Sequence, residues 1–165
     1  DGSTSDAVRI LREGFQRDAL SAPIHTEGTG FISIRDISMT DQEGEPIRVA
    51  RTGDTICIRM DLTASKRIEN WVTAFSLDTN LGQKLHYYNS RNSGATLPAI
   101  EGDATVIITV PTLTLGEGMY RMNVSIDDAG GQPFAQRDGA WDLVVQGNGI
   151  GSGPVALDSS IAVES

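Results

Sequence analysis

The sequence predicts an all-β protein, an immunoglobulin-like antiparallel β-sandwich with a short N-terminal helix. About seven short segments alternate apolar and polar residues, which is the pattern of strands with one buried and one exposed face. Turn signals rich in Gly, Asp and Asn separate these segments at the short spacing of sandwiches. Helical periodicity occurs only near the N-terminus, so the alternating strands and helices of a parallel sheet are not expected.

Residues 1–29 are predicted to form a helical lead-in and a linker. Ser5 or Asp6 can cap a helix that extends to about Leu20, and apolar residues recur at helical spacing from Val8 to Phe15. The connector that follows is rich in small and polar residues. We therefore expect this segment to lie outside the core of the main domain, which is predicted to span residues 30–146.

The first strands follow from Phe31 onward. The alternation changes phase between Ile34 and Ile37, which predicts a β-bulge near Arg35 and Asp36. A short strand is expected at 47–50, and the most regular alternation in the chain predicts a strand at 56–63. Further strands are predicted at 71–78, 84–90, 106–110, 118–127 and 140–145.

The strand at 118–127 is predicted to be central. Tyr120 follows the glycine turn 116–118, which suits a tyrosine corner, in which the hydroxyl hydrogen-bonds the connection leading into the strand. Tyr120, Met122, Val124 and Ile126 are expected to be buried. Because Met122 stands where an antibody domain has its second cysteine, no inter-sheet disulfide is expected.

Residues 147–165 are predicted to be a glycine-rich hinge followed by a C-terminal strand. A hinge of this length would allow the last strand to dock on a neighbouring protomer, so domain swapping is a hypothesis for this tail. The chain begins at Asp1 rather than Met, and we expect it to be part of a longer protein.

Composition limits the function classes. The net charge of −9 argues against binding to nucleic acid or to an anionic membrane surface, since both require clustered Lys and Arg. No apolar run is long enough to cross a membrane. Cys57 is the single cysteine, which excludes an internal disulfide and fits a reducing, cytoplasmic compartment.

No catalytic residue, metal site or cofactor site is predicted. The two histidines, His25 and His86, have no nucleophile motif beside them. The glycines at 147–153 are not followed by the helix that a phosphate-binding loop requires. A hydrolase that uses a pair of aspartates remains a weaker alternative, and a structural calcium ion at a loop end also stays open.

A polar sheet face is the remaining signal. The strands 71–78, 84–90, 118–127 and 140–145 are expected to lie side by side, and such a mixture of aromatic, amide and charged groups suits sugars. The alternative is an ordinary solvated sheet face. Tyr87 and Tyr88 are adjacent and place one ring on each face in either register. They therefore do not decide which residues of this strand face outward. The residues predicted to bind carbohydrate are Ser76, Asp78, His86, Tyr88, Arg121, Asn123, Ser125 and Asp142.

Several short motifs, taken in order, resemble one family. They are Gly30-Phe-Ile-Ser-Ile-Arg-Asp-Ile-Ser-Met39, Asp41-Gln-Glu-Gly-Glu-Pro46, Ile68-Glu-Asn70, Leu115-Gly-Glu-Gly-Met-Tyr120 and Val124-Ser-Ile-Asp-Asp128. Together they resemble the C-terminal domain of Wzt, the ATPase subunit of ABC transporters that export O-antigen polysaccharide. The resemblance covers about residues 30–146, and the tail segment 153–157 is also similar.

The resemblance implies a non-catalytic carbohydrate-binding module. Such a module would recognise the O-antigen polysaccharide in the cytoplasm before export, as a homodimer that reaches the membrane subunit through the full-length protein. ATP hydrolysis would belong to a separate N-terminal portion. No individual binding residue is implied by the resemblance. The alternative is a dimerisation or assembly domain without a glycan site.

Overall fold

The computed structural model describes residues 29–149, 151–157 and 162. The predicted N-terminal helix lies outside these residues. The described residues form eight strands and no helix. The strands are β1 (Ile32–Thr40), β2 (Val49–Arg51), β3 (Ile56–Ile68), β4 (Val72–Thr79), β5 (Lys84–Asn89), β6 (Ile100–Val110), β7 (Gly118–Asp127) and β8 (Pro133–Gln146).

The strands form two sheets that enclose one core. The three-stranded sheet has the order β1-β3-β6, and the five-stranded sheet has the order β2-β8-β7-β4-β5. All pairs are antiparallel except β2 with β8, which run parallel. The predicted sandwich is therefore confirmed, and the four strands predicted to be neighbours do lie side by side as β8-β7-β4-β5.

In β7 the residues predicted to face the core do so. Tyr120, Met122, Val124 and Ile126 are all buried, and Met122 has no exposed surface. Their side chains join the hydrophobic cluster between the sheets. The intervening residues of β7 consequently point away from the core, because successive strand residues face opposite sides.

The bulge predicted in β1 is present. The register with β3 shifts between Ile34 and Asp36. At this position the Arg137 guanidinium of β8 donates from Nη2 to the carbonyl oxygen of Ile34 and so links the two sheets. Burial lowers the pKa of Arg137, and the nearby Asp36 carboxylate opposes that effect.

Several strands extend beyond their predicted limits. β3 continues through Ile68, β6 begins at Ile100, and β8 begins at Pro133. In the extended part of β3, Ala64 pairs with Gly102 and Ile68 pairs with Ile100. Backbone pairing of this kind does not require an alternating apolar pattern, so the periodicity underestimates strand length.

The tyrosine corner is confirmed. The Tyr120 hydroxyl donates to the carbonyl oxygen of Gly116 at 2.9 Å, and the side chain is buried. Burial raises the pKa of this hydroxyl, so it remains protonated and able to donate. This hydrogen bond holds the connection before β7 against the beginning of the strand.

We expect Tyr120→Phe to lower the free energy of unfolding by about 1 kcal/mol, because the variant leaves a carbonyl oxygen without its donor while the ring still fills the core. Urea unfolding measures the change. Tyr88→Phe is the matched control, since the Tyr88 hydroxyl has no hydrogen-bond partner among the described residues. Equal denaturation midpoints for Tyr120→Phe and the parent protein would contradict this role.

The described part of the tail pairs with its own chain. Val155 forms an antiparallel bridge with Leu115, and the amide of Ala156 donates to the carbonyl oxygen of Thr114 at 2.8 Å. The amide of Gly116 donates to the carbonyl oxygen of Pro154 at 3.2 Å. Exchange of this segment between protomers stays a hypothesis, as do the predicted domain limits.

Candidate functional site

The outer face of the five-stranded sheet carries rows of polar side chains. One row is charged. In the strand register, Asp78 of β4 lies opposite Lys84 of β5 and Arg121 of β7, and Arg121 lies opposite Asp142 of β8. The Arg121 Nε atom lies 3.4 Å from the Asp142 Oδ1 atom, and both side chains are exposed. An exposed ion pair of this kind contributes little stability, and it engages the Arg121 guanidinium through its Nε atom.

The next row is centred on Asn123 of β7. Its Nδ2 atom donates to Asp78 Oδ2 at 2.9 Å and to Ser76 Oγ at 3.1 Å. Its Oδ1 atom accepts from the amide of Gly139 at 2.7 Å. The side-chain amide is therefore held at both ends, and it holds Asp78 and Ser76 in place.

A bulge in β8 faces Asn123. The register between β7 and β8 shifts between Met122 and Val124, where residues 138–140 of β8 are left unpaired. Gly139 lies there with a φ of 60°. Glycine adopts this left-handed conformation at little cost, which allows the backbone to turn its amide toward Asn123.

These rows border a groove of about 490 Å³. Ala74 and Ser76 of β4 are small and buried, while Tyr87 of β5 and Asn123 of β7 stand beside Ser76 in the neighbouring strands. The groove therefore forms where a strand with small outward residues runs between strands with larger ones. It is lined by Ala74, Phe75, Ser76, Asp78, Lys84, Tyr87, Asn123, Val124, Ser125, Gln136 and Asp138.

Tyr87 supplies the aromatic surface of the groove. It lies opposite Ser76, and 51% of its surface is exposed. The Lys84 Nζ atom lies 5.9 Å from the centroid of the Tyr87 ring. An exposed ring beside fixed polar groups is an arrangement that suits a ligand with both apolar C–H faces and hydroxyls.

The predicted outward orientation of His86 and Tyr88 is wrong. Tyr88 pairs with Phe75 and His86 pairs with Leu77, so both lie on the core side of the sheet. Their ring centroids are 5.7 Å and 5.6 Å from that of Phe75. His86 is nevertheless exposed, because β5 is the edge strand of the wider sheet. The pairing with β4 decides this parity, together with a register shift near Leu85.

The other predicted residues share the outer face, although they do not all line the groove. Ser76, Asp78, Asn123 and Ser125 line it. Arg121 and Asp142 lie on the same face beside it. Whether any of these residues binds carbohydrate remains a prediction.

The sequence reasoning missed four polar residues that line the groove. Tyr87 and Lys84 were missed because the parity of β5 could not be derived from its own residues. Gln136 and Asp138 were missed because β8 was predicted to begin at residue 140. Gly139 was the available signal, since a glycine inside a strand often marks a bulge.

Asp127 lies on the outer face at the end of β7. Burial raises its pKa, and the Asp128 charge adds to that effect, whereas a hydrogen bond from Ser125 Oγ at 2.9 Å opposes it. A carboxyl whose pKa is raised on folding stabilises the fold when it is protonated. That contribution is complete below the unfolded pKa and is lost as the pH rises through the folded pKa.

We therefore expect Asp127→Asn to raise the melting temperature at neutral pH. The gain in the free energy of unfolding should be below about 1 kcal/mol, because solvent screens a half-exposed carboxylate. Asn does not pay the cost of burying a charge, and it still accepts from Ser125. The difference should disappear below about pH 4, where the wild-type carboxyl is protonated. Calorimetry across this pH range measures it. Asp142→Asn is the control and should give no gain, because it removes the partner of Arg121.

The outer face of the three-stranded sheet has polar groups that pair with one another. Asp61 accepts from Thr105 Oγ1 at 2.7 Å and lies 3.2 Å from Arg59 Nη2. The hydrogen bond from Thr105 and the charge of Arg59 lower the pKa of Asp61, despite some desolvation. Asp103 similarly accepts from Thr63 and lies 3.5 Å from Arg35. We therefore place the candidate site on the five-stranded sheet.

Two further properties concern the described residues alone. They contain no group of three or more His, Cys, Asp or Glu side chains that could hold a metal ion. In the same part of the chain, no helix has the length and the apolar character that crossing a membrane requires.

Comparison with known proteins relates the chain to one family. The family model described as the Wzt C-terminal domain matches residues 24–157. The crystal structure of the C-terminal domain of wzt has a TM-score of 0.75 at 16% identity, and the match covers 87% of this chain and 90% of that chain. A Niemann-Pick type C2 protein from Japanese carpenter ant has a TM-score of 0.51 at 11% identity and shares the fold alone, over 75% of this chain and 99% of that chain. No curated protein matches the sequence.

Proposed function

The chain belongs to the Wzt C-terminal domain family, and from this premise we propose that its groove binds the polysaccharide that an ABC transporter exports. The domain is then a non-catalytic recognition module for an O-antigen polysaccharide. It acts in the cytoplasm as a homodimer and reaches the membrane subunit through the full-length protein. The family supports a carbohydrate-binding role associated with ABC transport in general, and the polysaccharide, the dimer and the location are the finer parts of the proposal.

The observation that carries the proposal is the half-exposed Tyr87 ring beside the fixed Asn123 amide, with the small residues of β4 between them. Aromatic rings pack against the C–H faces of sugars, and oriented amide, hydroxyl and carboxylate groups select among hydroxyl positions. The groove is open to solvent rather than enclosed, so it can admit a segment of a longer chain. Affinity should be modest, because each sugar hydroxyl exchanges water for protein at little net gain.

The test is titration of the domain with the O-polysaccharide of the organism that encodes it, followed by isothermal calorimetry and saturation-transfer NMR. Binding with transfer from the Tyr87 ring supports the proposal. Absence of binding at millimolar repeat-unit concentration contradicts it. Shortening of the polysaccharide chain during the titration would instead favour a hydrolase.

An assembly domain is the second candidate, and one observation favours it. Val155 and Leu157 of the tail are apolar and exposed, at 55% and 76% of their surfaces. Covering them with a second copy would remove apolar surface from water. Sedimentation analysis over a range of concentrations, with and without residues 154–165, tests this role. A dimer that depends on the tail and does not bind the polysaccharide would establish assembly as the function.

A further inference from the structure

The charges around the groove indicate which class of glycan it takes. We infer that the groove binds neutral polysaccharides and rejects acidic ones, meaning those that carry uronate or phosphate groups. This inference rests on the proposed function, because it concerns the ligand of the same groove. It follows from which charged groups line the groove and from the partners those groups already have.

Among the described residues, two carboxylates line the groove without a Lys, Arg or His partner in an ion pair. Asp78 Oδ2 accepts from Asn123 at 2.9 Å, and Asp138 Oδ1 accepts from Gln136 Nε2 at 2.9 Å. Neither carboxylate is within 4.0 Å of a Lys, Arg or His nitrogen in the described part of the chain. Neutral amides therefore orient both groups, and neither carboxylate forms an ion pair with a described cation, although Lys84 and Arg121 stand opposite Asp78 in the neighbouring strands.

The cations on this face do not form an anion site. Lys84 lines the groove, but it is the single cation that does so among the described residues. Arg121 lies outside the groove lining and pairs with Asp142 at 3.4 Å. Proteins that bind carboxylates or phosphates use arginine forks or free backbone amides. In this groove the Gly139 amide already donates to Asn123 Oδ1.

An acidic group that enters the groove would meet two carboxylates and one ammonium group. Like charges brought together in a binding site are strongly unfavourable, and this is a common means of rejecting the wrong ligand. A neutral sugar meets no such penalty. Its hydroxyls donate to the carboxylates and accept from amide N–H groups, so the groups that repel an acid also bind a hydroxyl.

An array of neutral and acidic bacterial polysaccharides provides the first test. We expect the bound members to lack uronate and phosphate, and bound members that are mainly acidic would overturn the inference while supporting the proposed function. If no member binds, the proposed function fails and the inference fails with it.

The second test uses one bound neutral glycan and the same glycan after oxidation of its primary hydroxyls to carboxylates. Binding of the oxidised form should weaken by about tenfold or more at low salt, and the difference should shrink near 1 M salt, where charges are screened. Asp138→Asn should reduce the ratio between the two affinities, whereas Asp138→Glu, which retains the charge, should keep it. Equal affinity for both forms, or a ratio that Asp138→Asn does not change, would contradict the inference.

Discussion

Tyr87→Ala is expected to abolish glycan binding while the melting temperature barely changes. The ring is the aromatic surface of the groove, and its loss should cost about 2 kcal/mol of binding free energy, or about thirty-fold in affinity. For a ligand of modest affinity this loss puts binding beyond detection. Stability should be retained because half of the side chain is already exposed and the strand pairing of β5 does not depend on it. Calorimetric titration and thermal unfolding measure the two quantities.

Two matched variants make this result specific to the ring and its face. Tyr87→Phe keeps the ring and loses only the hydroxyl, which accepts a 3.4 Å hydrogen bond from Asn89, so most of the binding should remain. His86→Ala removes the adjacent exposed ring on the opposite face of the same strand and should leave binding intact. Loss of binding in His86→Ala with retention in Tyr87→Ala would place the site on the other face of β5.

Gly116→Ala is expected to release the tail and to lower the free energy of unfolding by about 1–3 kcal/mol. A Cβ atom at this position would lie 1.8 Å from the carbonyl oxygen of Gly153. The neighbouring atoms are backbone, so the strain cannot be relieved by rotating a side chain. We expect segment 153–156 to move away, which would also remove the hydrogen bond from Ala156 to Thr114.

Urea unfolding and amide hydrogen exchange test this expectation. Exchange should accelerate at Ala156 and remain slow at Ile126 in the middle of the core. Gly151→Ala is the matched control in the same tail, because a Cβ atom there meets nothing within 4 Å and the backbone needs no left-handed conformation. The contrary result is that the two variants unfold at the same urea concentration, with equally slow exchange of the Ala156 amide. In that case the close approach of residues 116 and 153 is not part of the native fold.

The features predicted correctly from the sequence depend on neighbouring residues in one strand. The alternation in β7 places Met122 in the core and Asn123 on the outer face, whatever strands lie on either side. The phase change in β1 identifies the bulge near Asp36, and Gly116 before Tyr120 identifies the tyrosine corner. In each case the geometry of the local backbone links the pattern to the structure.

The sequence by itself determined that the chain forms a sandwich, which residues of β7 are buried, and that Ser76, Asp78, Asn123 and Ser125 share one face. Only the tertiary structure decided which tyrosine of β5 joins them. An edge strand with polar residues on both sides has no internal preference for either face, so its orientation depends on its hydrogen bonds to β4 and on the register shift near Leu85. The groove has the same origin, since it forms only where β5, which follows β4 in the chain, and β7, which is distant in the sequence, both place larger residues beside the small side chains of β4.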